Sequence, residues 1–160
     1  MRLGQPADVI VVADAEALAR AAAERMLARL PPSDGHLAVC LAGGATPERL
    51  YRLLAAAPYR DAVPWEQIHW FWGDERFVPG NDPRSNAGAA RRLMLDRAPV
   101  PAENICAIPT GAENVAEAAR LYEIELRRYY GAERLLPGRP LFDMVLLGLG
   151  ADGHTASLFP

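Results

Sequence analysis

Residues 141–160 read LFDMVLLGLGADGHTASLFP, and the fold is decided there. Phe142, Met144, Val145, Leu146 and Leu147 form a short apolar run of the kind buried on both faces of a parallel sheet. The run ends in Gly148, Gly150 and Gly153, with Asp152, His154, Thr155 and Ser157 between and after them. Glycine admits backbone conformations closed to other residues and lets a ligand approach the main chain. A strand that ends in glycines and then in Asp-x-His puts titratable groups at the carboxyl edge of a sheet. That edge is where open α/β sheets bind their ligands.

Working outward, the same alternation of strand and helix recurs. Val9 to Val12 read as a first strand, and Asp14 as the N-cap of a helix running to about Leu30. The apolar stripe of that helix is Ala15, Leu18, Ala22, Met26 and Leu30, and residues 31–35 (PPSDG) end it. Leu37 to Leu41 form a second buried strand that runs into Ala42-Gly43-Gly44-Ala45-Thr46-Pro47. Thr46 as N-cap and Pro47 at the first helical position mark the next helix, to about Ala57.

Ile68 to Trp72 (IHWFW) is the third strand, followed by the polar loop GDERFVPGNDP of residues 73–83. Ser85 caps a helix to about Arg97, and Ile105 to Ile108 is a short fourth strand. Asn114 caps a helix with the stripe Val115, Ala119, Tyr122, Leu126 and Tyr129. Residues 131–140 link it to the final strand. The reading is one α/β domain over residues 1–160: an open, mainly parallel, Rossmann-like sheet with helices on both faces and right-handed crossovers. No covering element follows Pro160, so a chain truncated at its C-terminus is expected.

Composition narrows the function classes. With 17 Lys and Arg against 20 Asp and Glu the net charge is −3, which offers no basic field for nucleic acid. An anion is then held by local backbone and Arg geometry. No apolar run approaches the roughly 20 residues that span a bilayer, and the N-terminal apolar patch is too short for a signal peptide. A cytoplasmic location follows by default. Cys40 and Cys106 are far apart and flanked by apolar residues, as buried free thiols are.

Gly148-Leu149-Gly150-Ala151-Asp152-Gly153 spells the G-x-G-x-x-G of a dinucleotide fingerprint. Asp152 would lie beside the pyrophosphate, where a carboxylate is electrostatically wrong. The longer phrase, G-x-G-x-D-G-H-T-A-S-L-F-P, closely resembles the active-site signature of 6-phosphogluconolactonases, in the wider family that includes glucosamine-6-phosphate deaminases. The resemblance extends to GG-x-TP at Gly43 to Pro47 and to WGDERFVP followed by Ser85-Asn86, over nearly the whole chain. It implies a fold of the NagB/RpiA type and hydrolysis of a small phosphosugar lactone without cofactor or metal.

Each site residue has a plain reading beside the functional one. Gly43, Gly44, Ala45 and Thr46, between strand and helix, form an anion cradle, because the first helical N–H groups are unpaired and worth about 0.3–1 kcal/mol to an anion. A tight turn with Thr46 only capping is equally good by pattern; the resemblance favours phosphate binding. No Walker lysine follows. Asp74-Glu75-Arg76 taken alone is a solvated loop. The resemblance implies that Arg76 grips phosphate as a forked donor and that Asp74 orients substrate or water. Asn86 is a further candidate contact, although asparagine also caps helices and turns.

His36 and His69 read as structural. His154 differs because it follows Asp-Gly in a strand-end loop, and an ordinary imidazole is largely neutral, hence basic, near pH 7. The resemblance implies that it takes a proton from water attacking the lactone carbonyl. Asp152 either fixes its tautomer or contacts a sugar hydroxyl, and loop N–H groups from Gly150 to Thr155 are placed to receive an oxyanion. Three histidines without HExxH give no metal signature, and Ser157 lacks the G-x-S-x-G elbow. Two other readings stand. A deaminase-isomerase usually has DEY where this chain has Asp74-Glu75-Arg76, and an asparagine-glutamate pair near Ser157-Leu158-Phe159. The other is a non-catalytic phosphosugar-binding fragment.

Overall fold

A computed structural model describes residues 8–30 and 35–160. Asp14 caps α1 (Ala15–Leu27) through its Oδ1, which accepts the Ala17 N–H at 2.7 Å. The buried face of α1 is Ala19, Ala23 and Met26, which keeps Met26 of the expected stripe and replaces Leu18 and Ala22 by the next residue along. Ala15 and Leu18 are exposed, and Leu18 borders a cleft that Ala19 and Ala22 also line. Val9 to Val12 form no strand. Val9 and Val11 are exposed, having no paired neighbour among the described residues. The α1 helix ends at Leu27, before the expected Leu30, and of the stop expected over residues 31–35 all but Gly35 lies outside the described residues.

β1 (Leu37–Leu41) is buried along its whole length. It turns at Gly44, whose φ of +107° only glycine takes without strain, straight into α2 (Ala45–Leu54). The helix therefore begins ahead of the Thr46-Pro47 signal, with Gly44 as N-cap and Glu48 N–H bonded to Gly44 O at 3.2 Å. Pro47 falls within the first turn, where its missing N–H breaks no helical bond. A short α3 (Tyr59–Ala62) and a 3-10 turn (Trp65–Gln67) lead into β2 (Ile68–Trp72). Ser85 caps α4 (Asn86–Leu93), which stops short of the expected Arg97; a separate 3-10 turn holds Leu95–Arg97. Asn114 caps α5 (Val115–Tyr130) by accepting the Glu117 N–H at 3.0 Å, and Gly131 closes it in the left-handed region. The inward face of α5 carries Ala118, Tyr122, Leu126 and Tyr129, while Val115 is exposed.

The last element is β3 (Met144–Val145), and the sheet runs β2-β1-β3, all parallel. Leu37 pairs with Ile68 through to Leu41 with Trp72, and Cys40 pairs with Val145. Asp143 extends the narrow β3 ladder: its carboxylate accepts the Ala38 N–H at 2.8 Å while its own N–H donates to Ala38 O at 2.9 Å. The expected fourth strand reduces to one parallel bridge, Trp70 to Ile105, because the chain after Ile105 leaves the sheet. The final run is not buried on both faces. Met144 and Leu146 pack inward, whereas Val145, Leu147 and Leu149 are 45%, 66% and 81% exposed. β3 is the sheet's edge, and among the described residues nothing covers its outer side.

Side-chain alternation divides the core into two layers. Leu37, Val39 and Leu41 with Ile68, Trp70 and Trp72 face α1, α2 and α4. Ala38, Cys40 and Phe71 face the other way, where Tyr122, Leu126 and Tyr129 of α5 pack on them. Helices thus cover both faces. Each large apolar side chain so buried contributes about 1.5–3 kcal/mol. Cys40 and Cys106 are buried free thiols, and burial pushes each thiol up to about 11.

Candidate active site

The three parallel strands deliver three turns to one edge. After β1 comes Ala42–Thr46, after β2 comes Gly73–Arg76, and after β3 comes the loop 148–160. Between them lies a cleft of about 630 Å³. Gly43, Gly44, Ala45, Thr46, Asp74, Arg76, Asn86 and His154 all line it. Asp152 does not; it stands behind His154. His36 and His69 sit at the opposite ends of the strands, stacked edge to face at 5.1 Å, with His69 also against Tyr129. Burial holds the His69 pKa below its ordinary value.

The phosphate-loop candidate is positioned from below and from the side. Tyr51, buried on α2, brackets Ala42: its hydroxyl donates to Ala42 O at 2.6 Å and accepts the Ala42 N–H at 3.2 Å. The side chain of Asn86 presses against Gly43, where a Cβ would stand 1.9 Å from Asn86 Oδ1. Gly43 is therefore required by close approach and Gly44 by its φ. The N-terminus of α2 has no side-chain cap, so its N–H groups remain open towards the cleft.

His154 is held by two neighbours. Its Nδ1 lies 2.5 Å from Asp152 Oδ1, and its ring sits 5.1 Å from the Phe159 ring. The imidazole holds the Asp152 carboxyl below the usual carboxylate range. A carboxylate on Nδ1 sets that nitrogen as donor and leaves Nε2 free to accept. Gly150 makes room for the pair, since a Cβ there would stand 2.3 Å from the His154 ring.

The loop's N–H groups are less free than expected. Gly150 donates to His154 O, Gly153 to Gly150 O, Thr155 to Leu158 O, and His154 to Asp152 Oδ1. Those four donors shape the loop and are not spare for an oxyanion. Thr155 Oγ1 adds a bond to Gly148 O at 2.8 Å.

Three contributors escaped the sequence reading. Ser157 Oγ donates to Asp74 Oδ2 at 2.6 Å, tying the 148–160 loop to the turn after β2. Tyr51 carries no sequence signal beyond its place on the helix after β1. Glu75 read as one charge among three, yet it is bonded to α4. No local spacing announces partners 9 to 83 residues away. Among the described residues no group of three His, Cys, Asp or Glu is placed to hold a metal ion, and no helix is long and apolar enough to cross a membrane.

The chain is similar to known proteins along most of its length. The chain is 43% identical over 156 residues to a 6-phosphogluconolactonase of Nostoc sp., covering 95% of this chain and 62% of the relative. It is 48% identical over 127 residues to that of Synechocystis sp., covering 79% of this chain and 50% of the relative. The chain thus spans half to under two thirds of the length of these curated relatives. The solved 6-phosphogluconolactonase from Trypanosoma cruzi superposes with a TM-score of 0.79 at 30% identity, covering 94% of this chain and 62% of that one. Residues 13–160 match the family model for glucosamine-6-phosphate isomerases/6-phosphogluconolactonase. On sequence and on fold, the chain belongs to the glucosamine-6-phosphate isomerase/6-phosphogluconolactonase family.

Proposed function

We propose that residues 1–160 form a single sugar-phosphate-binding α/β domain and carry the hydrolytic site of a 6-phosphogluconolactonase. It converts 6-phospho-D-glucono-1,5-lactone and water to 6-phospho-D-gluconate, a step of the pentose phosphate pathway, in the cytoplasm. The observation that carries the reading is the cleft itself. An open helix N-terminus with Arg76 stands in one cavity with a histidine oriented through Nδ1 by a carboxylate. The α2 N–H groups and the Arg76 fork take the phosphate, which fixes the sugar ring relative to His154. Nε2 of His154 accepts a proton from water as its oxygen bonds to the lactone carbonyl carbon. Collapse of the tetrahedral species breaks the ring C–O bond, and the imidazolium returns its proton to that ring oxygen. Asp152 stays ionised and stabilises the imidazolium. Asp74 and Asn86 contact sugar hydroxyls from the side of the cleft.

The test is made on the full-length protein. Purified protein is given the lactone and, separately, an amino-sugar phosphate, with acid production and ammonia release followed. Lactone hydrolysis above the spontaneous rate, without ammonia release, is expected. Ammonia release would favour the deaminase reading. Phosphosugar binding with neither turnover would favour a non-catalytic module.

A further inference from the structure

Three residues in a row follow Gly73, and only two of them line the cleft: Asp74 and Arg76 do, Glu75 does not. Glu75 is half-buried, and its carboxylate is the most heavily bonded acid among the described residues. Oε1 accepts the Asn86 N–H at 2.7 Å, and Oε2 accepts the Ala87 N–H at 2.7 Å and the Ser85 hydroxyl at 3.0 Å. Oε1 also accepts the Arg76 N–H at 2.7 Å. Asn86 and Ala87 are the first two residues of α4, and the next donor, Gly88 N–H, is taken by Ser85 Oγ at 2.9 Å. The N-terminus of α4 is thus taken up by Glu75 and the Ser85 cap, whereas that of α2, beside it on the same sheet edge, has no side-chain cap.

We propose that Glu75 is a positioning residue for the phosphate end of the site, and this rests on the phosphosugar reading above. By docking the turn after β2 onto α4, Glu75 sets three things at once. Asp74 is held with its carbonyl accepting Asn86 Nδ2 at 3.1 Å. Asn86 is set so that its side chain wedges against Gly43. Arg76 leaves from a backbone N–H bonded to the same carboxylate. The anion in α4 also removes the second helix N-terminus as a competing seat for phosphate, so the substrate's phosphate goes to α2.

The experiment compares Glu75→Gln, Glu75→Ala and Ser85→Ala in the full-length protein. It measures the Kd for inorganic phosphate, the kcat and KM for the lactone, and thermal unfolding. Glu75→Gln keeps the shape but sets an NH₂ against backbone N–H donors, so it is expected to raise both the phosphate Kd and the lactone KM by about tenfold to a hundredfold, the scale of a 1 Å misplacement. Formate added to Glu75→Ala is expected to recover part of the phosphate affinity by refilling α4's N-terminus. Ser85→Ala removes the cap of the same helix and one of the bonds to Glu75, but leaves the carboxylate on the Asn86, Ala87 and Arg76 N–H groups, and is expected to keep Kd and KM within about threefold while lowering stability. Wild-type Kd and KM in Glu75→Gln would overturn the proposal. So would equal losses in Ser85→Ala, which would make Glu75 a helix cap only. A wild-type protein inert towards the lactone would sink the lactonase reading, and the phosphate Kd values would still decide the role of Glu75.

Discussion

Replacing Gly150 by alanine isolates the His154–Asp152 pair without touching either residue. The added Cβ would stand 2.3 Å from both Cε1 and Nδ1 of His154 and 2.7 Å from Asp152 Oδ1. Carbon contacts are comfortable from about 3.5 Å, so the ring must withdraw by about 1 Å, away from a bond that is now 2.5 Å long. Gly150 has no positive φ, so the substitution adds no backbone strain of its own. A displacement of that size costs about 10²-fold in a positioned proton transfer. Gly150→Ala should therefore lower kcat by about 10²-fold. The lactone KM should change little, because the phosphate contacts lie on α2 and the turn after β2. The assay is continuous acid release in weak buffer, with the spontaneous hydrolysis rate subtracted at each substrate concentration. Retention of kcat within about threefold would show that the His154–Asp152 geometry does not limit the reaction.

Other expectations follow from the same edge of the sheet. Gly43→Ala drives a Cβ into Asn86 at 1.9 Å and should raise the Kd for inorganic phosphate while leaving the far end of the cleft intact, as titration calorimetry would read. Tyr51→Phe strands the Ala42 N–H and C=O beneath the same turn and should cost about 1–3 kcal/mol in denaturant unfolding. For pH dependence, the depressed pKa of Asp152 means its hold on the His154 loop is complete above the ordinary carboxylate range. That hold is lost only as pH falls through the lowered value. Above that lowered value Asp152 should therefore add no proton to the acid limb of kcat. A two-proton limb near neutrality would place Asp152 in the titration.

The sequence was most legible where local chemistry and burial agree. β1 and β2 lie at Leu37–Leu41 and Ile68–Trp72, where an apolar and aromatic run finds neighbours to bury it on both faces of the sheet. Asp14, Ser85 and Asn114 cap the helices they precede because a short polar side chain there satisfies an unpaired N–H. Legibility failed where a pattern depends on what lies beside it. Val9 to Val12 have strand composition but no strand partner among the described residues. Met144 to Leu147 read as doubly buried but form an edge, since composition does not say whether a neighbour follows. Thr46 and Pro47 gave the right helix with the wrong first residue, because Gly44 enters it through a positive φ. The site's first layer was visible as motifs on strand ends. Its supports, Tyr51 on Ala42, Ser157 on Asp74 and Glu75 on α4, join residues distant in sequence and were not.

The central claim is that His154 is the base, oriented by Asp152 over a phosphate seat built separately from it. The most direct test is kcat for His154→Asn in the full-length protein, corrected for spontaneous hydrolysis at each pH. Asparagine cannot accept the proton, so kcat should fall by about 10²–10⁴-fold. KM and the phosphate Kd should stay near wild type. A His154→Asn protein that keeps nearly full kcat after that correction would contradict the account and move the base to another group in the cleft, with Asp74 the next to test.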